Sequence, residues 1–105
     1  MIDMMRGGNM AGMMKQMQKL QKEMTQAQEE LNKSEFTATS ASDMVTVTLA
    51  GDKTLKDIQI KPEAIDPDDP DMLQDLIIEA MNAGLKQVDD ATKQKMGKYT
   101  QGLPR

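Results

Sequence analysis

The chain of 105 residues predicts a single α+β domain in the order helix, three-stranded antiparallel sheet, helix (α-β-β-β-α). Three observations carry this prediction. Apolar residues recur with helical spacing before residue 32 and again after residue 70, and the stretch between them alternates with a period of two. Proline and glycine then punctuate the chain where one pattern gives way to the next.

In the first helical stretch, Met10, Met13, Met17, Leu20, Met24, Ala27 and Leu31 keep an unbroken three-four alternation. This is the narrow seam of a coiled-coil helix rather than a broad amphipathic face. Gly7-Gly8-Asn9 reads as a flexible lead-in with Asn9 as N-cap, and Asn32-Lys33-Ser34 ends the helix. Lys15, Lys19 and Lys22 take the f, c and f positions of the same heptad frame, on the side turned away from the seam.

From Phe36 the period becomes two, and after a turn at Ser42-Asp43 the run Val45-Thr46-Val47-Thr48-Leu49 alternates cleanly. Ala50-Gly51-Asp52-Lys53 supplies a second turn, followed by a strand over 56–61 that places Ile58 and Ile60 on the buried face. Leu55 has the wrong parity for that strand and fits either a bulge or packing at the turn. The sheet has one apolar face and one face of Thr and Lys, so helices should cover a single side.

Pro62 and Pro67 interrupt the chain, and Asp69-Pro70-Asp71 then reads as N-cap, N1 proline and first-turn acid of a second long helix ending near Lys98. Its wheel places Leu73, Ile77, Ala80, Gly84, Val88 and Ala91 on one face, widened by Leu76 and Met81, with Ile78, Leu85 and Met96 further round. This stripe is too broad for one contact surface. Gly84 in mid-helix implies close approach by another element. The expected organisation is a flexible N-terminus over 1–9, one domain over 10–98 and a frayed tail over 99–105.

Composition narrows the function. With 12 methionines against one Phe, one Tyr and no Trp, the core and any interface rest on Met, Leu, Ile, Val and Ala, which favours adaptable packing. A domain this small gains from self-association. The lack of Cys and His removes thiolate chemistry, disulfides, the commonest general base and the commonest transition-metal ligand. No carboxylate pair suggests general acid-base work, and the run Asp66–Asp71 has proline where a calcium loop needs a ligand and lacks its glycine. The expectation is therefore no enzyme, no cofactor and no metal. No apolar run approaches membrane-spanning length, which points to a cytoplasmic protein without a membrane partner or a small-molecule substrate.

A formal charge of −4 argues at first against nucleic acid, but Glu63, Asp66, Asp68, Asp69, Asp71, Asp75 and Glu79 crowd one segment. Removing these seven of the 17 acids leaves ten against 13 bases, a mildly basic remainder. Three lysines on a helix face are ordinary for a solvated surface. What distinguishes them is company: Lys86 and Lys93 lie seven apart on one line of the second helix, with Lys95 and Lys98 following. Neither edge holds an Arg or an interleaved aromatic, so phosphate contacts are better provided for than base readout or stacking. The Met seam itself admits a dimer core, a groove for a client protein's apolar helix or a lipid-facing surface; its narrowness favours the dimer.

The ordered set of segments resembles the YbaB/EbfC family of bacterial nucleoid-associated, DNA-binding proteins. Met14-Lys15-Gln16-Met17-Gln18-Lys19-Leu20-Gln21-Lys22-Glu23-Met24, Met44-Val45-Thr46-Val47-Thr48, Gly51 and Ile58-Gln59-Ile60 are similar to its first half. Asp71-Met72-Leu73-Gln74-Asp75-Leu76, Ala80, Asn82-Ala83 and Thr92-Lys93-Gln94-Lys95-Met96 are similar to its second. The resemblance implies a two-layer protomer, a tight homodimer with helices projecting like tweezers, and duplex DNA as partner, with a role in nucleoid organisation or transcription regulation. It assigns DNA contact to Lys15, Lys19, Lys22, Lys93 and Lys95; Lys86 and Lys98 join them on wheel geometry alone. The dimer contact is expected at Met13, Met17, Leu20, Met24, Leu73, Ile77, Gly84 and Val88. Two turns depart from the family pattern: Ala41-Ser42-Asp43 stands where glycines are common, and Ala50-Gly51 where Asn-Gly is common.

Overall fold

A computed structural model of the chain describes the backbone of residues 2–100 and the side chains of residues 10–99. It contains α1 (Ile2–Lys33), β1 (Glu35–Thr39), β2 (Val45–Ala50), β3 (Leu55–Ile60) and α2 (Pro70–Thr100), with short 3-10 turns at Ala41–Asp43 and Pro62–Ala64. The expected element order is present throughout. The sheet is antiparallel in the order β1-β2-β3.

Two boundaries differ from expectation. Helix α1 begins at Ile2, so Gly7, Gly8 and Asn9 lie inside it and Asn9 is no cap. No proline interrupts 2–9, and a glycine's cost of about 1 kcal/mol lowers helix stability without ending the helix. Helix α2 runs two residues past Lys98, so of the expected frayed tail over 99–105 the first two residues are helical, and 101–105 lie outside the described residues. Its start is as read from the sequence: Pro70 is the first helical residue, and the Asp69 carboxylate accepts the Met72 N–H at 3.2 Å.

Of the two possibilities for Leu55, the bulge is the one present. The register shifts between Thr48 and Leu49, which sets Leu55 opposite Leu49 and on the same face as Ile58 and Ile60, the partners of Val47 and Val45. That face is covered unevenly. Helix α2 lies across β1 and β2, burying Ala38, Val45, Val47 and Leu49 together with its own Ala80 and Val88. Of strand β3 only Ile60 packs against this core. Ile58 was expected to be buried; it faces the apolar side but is 38% exposed, and Leu55 is 44% exposed.

Gly84 explains how α2 comes so close. A Cβ there would sit 2.6 Å from Leu49 Cδ1, well inside normal carbon contact, and in contact with Val47 Cγ2 at 3.4 Å. Gly84, expected at a dimer contact, instead meets the chain's own sheet, and Val88, expected there too, is fully buried within the chain. Leu73 and Ile77 are half-buried against the same core. Gly51 makes a second close approach: its N–H donates to the Ser34 carbonyl at 3.0 Å, and a Cβ would collide with the Leu31 carbonyl oxygen. The β2–β3 turn is thereby fastened to the end of α1.

Candidate nucleic-acid interface

The chain measures 83 × 24 × 16 Å, because the N-terminal part of α1 continues beyond the sheet and α2 as an arm. Along it every residue from Met10 to Glu23 is exposed. The seam divides at this point: Ala27 and Leu31 are buried, while Met13, Met17 and Leu20 are exposed and Met24 is half-buried. Helix propensity favours the arm, since Met, Gln, Lys and Leu lose little side-chain freedom in a helix.

Lys15, Lys19 and Lys22 are all exposed and, with Gln26, follow the spacing of one helical line. That line runs into a crevice between α1 and α2 lined by Glu23, Gln26, Ala27, Glu30, Lys95, Lys98 and Tyr99. Five of the seven expected lysines thus share one edge. Lys86 and Lys93 do not join it, being about half a turn around α2 from Lys95 at 100° per residue.

The pairing of these lysines differs. Lys95 Nζ lies 2.9 Å from Glu30 Oε2 and is the least exposed of the paired lysines. The Glu30 carboxyl is held below the usual carboxylate range by its hydrogen bond from Lys95 and by that charge. Lys86 pairs with Asp90 at 3.2 Å, an exposed i,i+4 contact of small worth. Lys98 Nζ rests 4.9 Å from the Tyr99 ring centroid. Lys15, Lys19, Lys22 and Lys93 carry no ion pair among the described residues.

Missed from sequence was Glu30, which competes with any anion for Lys95. The available signal was its place on α1 one turn after Gln26, but its partner is 65 residues away. Among the described residues no group of three or more His, Cys, Asp or Glu could hold a metal, and no helix is long and apolar enough to cross a membrane.

The chain is a small α+β domain whose extended first helix carries a line of exposed lysines. Residues 5–103 match the YbaB/EbfC DNA-binding family, and the chain belongs to it. It is 62% identical over 99 residues to a nucleoid-associated protein of Lactobacillus delbrueckii subsp. bulgaricus, covering 94% of this chain and 91% of that protein. A nucleoid-associated protein of Enterococcus faecalis is 54% identical over 102 residues, covering 96% and 98%. The crystal structure of an uncharacterized Helicobacter pylori protein superposes with a TM-score of 0.71 at 25% identity, covering 83% of this chain and 91% of that one.

Proposed function

We propose that the chain acts as a homodimeric nucleoid-associated protein that binds duplex DNA mainly through phosphates, organising the nucleoid, regulating transcription, or both. The observation that carries this reading is the line Lys15, Lys19 and Lys22 on the exposed arm, running into the crevice that holds Lys95 and Lys98. Point charges on flexible stems suit phosphate oxygens and carry little sequence information. The seven acids from Glu63 to Glu79 lie in and before the start of α2, and none of them is on α1.

Dimerisation is proposed through the uncovered apolar side of β3, where Ile58 and Leu55 extend the core face past the edge of α2. An exposed edge strand with an apolar face is otherwise an aggregation hazard, and a second copy covers it. The activity is binding, without a chemical step. Its place is the nucleoid, in the cytoplasm.

Fluorescence anisotropy with labelled 30-base-pair duplexes, one native and one scrambled, across a potassium chloride series tests the reading. The expected result is a steep salt dependence shared by both sequences. No binding at 50 mM salt would refute it. For the dimer, Ile58→Glu should convert the species seen in sedimentation velocity to a monomer. A dimer of unchanged stability would place the contact elsewhere.

A second reading, capture of a client protein's apolar helix by the Met-rich arm, draws on the exposure of Met13 and Met17. It places function on the side of α1 opposite the lysines. Full DNA affinity in a variant stripped of the arm methionines would be consistent with it; loss of salt-dependent binding from the lysine variants would not.

A further inference from the structure

We propose that the crevice between α1 and α2 is a nucleobase site. It takes one unpaired base bearing an exocyclic amine, from DNA whose phosphates lie along the lysine line, and it rests on the duplex binding proposed above.

In sequence no aromatic is interleaved with the lysines of either helix edge. The fold supplies one, because the end of α2 packs beside the inner end of the arm and brings Tyr99 next to Glu23 and Gln26. The crevice they share has a volume of about 360 Å³, within the range of sites that take small ligands. Its free groups are the ones a base requires. Tyr99 offers a ring for stacking, and the side chains of Glu23 and Gln26 make no hydrogen bond or ion pair among the described residues. A carboxylate only accepts, so Glu23 calls for an amino group; an amide both donates and accepts, so Gln26 suits the mixed edge beside that amine. Cytosine, adenine and guanine carry an exocyclic amine and thymine does not.

Charge separates this site from the phosphate line. Glu23 and Glu30 balance Lys95 and Lys98, and Lys95 is already paired with Glu30 at 2.9 Å, so the crevice is neutral where the arm is cationic. A neutral heteroaromatic with donors and acceptors fits the crevice, and phosphate fits the arm.

The two are in step. Gln26 stands one turn after Lys22 on the same line, a rise of about 6 Å, close to two phosphate steps of about 3.4 Å. A strand held at Lys19 and Lys22 therefore presents its next nucleotides at the crevice. Lys98 Nζ lies 4.9 Å from the Tyr99 ring centroid. Base stacking is stronger than an exposed cation–π contact, so the base displaces the ammonium, which moves on its flexible stem to the accompanying phosphate. In continuous duplex each base is paired and stacked, and withdrawing it is costly; an extrahelical base is already unpaired. Selectivity for DNA with such a base follows.

The test is fluorescence anisotropy with full-length protein at one salt concentration and four duplexes. One is fully paired; the others carry a single extrahelical cytosine, thymine or abasic residue. Cytosine should tighten binding about tenfold over the paired duplex, thymine less, and the abasic residue should bind as the paired duplex does. Because all three bulges loosen the duplex, equal affinity for the cytosine and abasic forms overturns the proposal. Tyr99→Leu should bring the cytosine-to-paired ratio to about one, whereas Tyr99→Phe, which keeps the ring, should retain it. A ratio that survives Tyr99→Leu overturns the proposal. Glu23→Gln should close the gap between cytosine and thymine, a ratio in which the change of overall charge cancels; an unaltered gap overturns the amine contact. Stacking has a direct readout, since Tyr99 is the only tyrosine and the chain has no tryptophan. 2-Aminopurine as the extrahelical base should be quenched by wild type and not by Tyr99→Leu, and an equal change with both proteins overturns the proposal. A wild type that binds no duplex refutes the DNA reading and this site with it, while duplex binding without discrimination refutes this site alone.

Discussion

Neutralising the arm isolates the phosphate term. Lys15 and Lys22 are seven residues apart, a rise of about 10.5 Å on an α-helix, with Lys19 between them. One DNA strand advances about 3.4 Å per phosphate, so the three ammonium groups span about four successive phosphates and can neutralise about three of them. At roughly 0.9 per phosphate, each arm contributes about −2.7 to the slope of log affinity against log salt, or about a 40-fold loss of affinity between 50 and 200 mM. A dimer with both arms on one duplex doubles the slope contribution. Lys15→Gln/Lys19→Gln/Lys22→Gln preserves helix propensity and removes the charges. Anisotropy titrations of wild type and variant over that salt range should show a slope shallower by about 2.7 for one engaged arm and about 5 for two. Sedimentation should show an unchanged dimer. A slope within about 1 of wild type would refute the assignment of phosphate contact to this edge.

Glu30→Gln releases Lys95 from its ion pair and should steepen the salt slope by about 0.9 for each lysine that gains a phosphate, read in the same titration. Because the folded-state Glu30 carboxyl is depressed, its pairing is present above the unfolded value and is lost only as pH falls through the lower folded one. With no histidine in the chain, wild-type DNA affinity should stay flat from about pH 8 to 6, and a step in that window would contradict this. Ser42 holds φ at 56°, so Ser42→Gly should stabilise the fold by up to about 1 kcal/mol in urea denaturation. Gly84→Ala gains about 1 kcal/mol of helix propensity but overpacks against buried Leu49, for a net loss of about 0 to 2 kcal/mol. Full stabilisation by the propensity gain would show that α2 does not approach the sheet so closely. Both denaturation series require matched protein concentration.

The two departures from the family pattern acquire a physical meaning in the fold. Ser42 and Asp43 both take positive φ, the conformation for which glycine is suited, so the chain holds strain at this turn. Glu79 assists by accepting the Ala41 N–H at 2.6 Å, a contact across 38 residues that no local pattern reveals. At the second turn Lys53, with φ of 72°, takes the left-handed position, and Gly51 is required for the approach to Leu31.

Local order was legible because periodicity records which side of an element meets apolar surroundings. The Met seam, the alternation of Val45, Val47 and Leu49, the Asp69 cap and the lysine line are all properties of neighbours in sequence. The over-broad stripe of α2 likewise signalled more than one contact. Which neighbour fills each face depends on packing between distant segments. Only the tertiary structure decided that Gly84 meets the chain's own sheet, that Ile58 and Leu55 of β3 escape the cover of α2, and that Glu30 holds Lys95. It also divided the seam, burying Ala27 and Leu31 where α2 and the sheet reach them and leaving Met10 to Leu20 bare where they do not. Helical spacing specifies that a stripe needs a partner; the length and path of the other elements determine where one is already present.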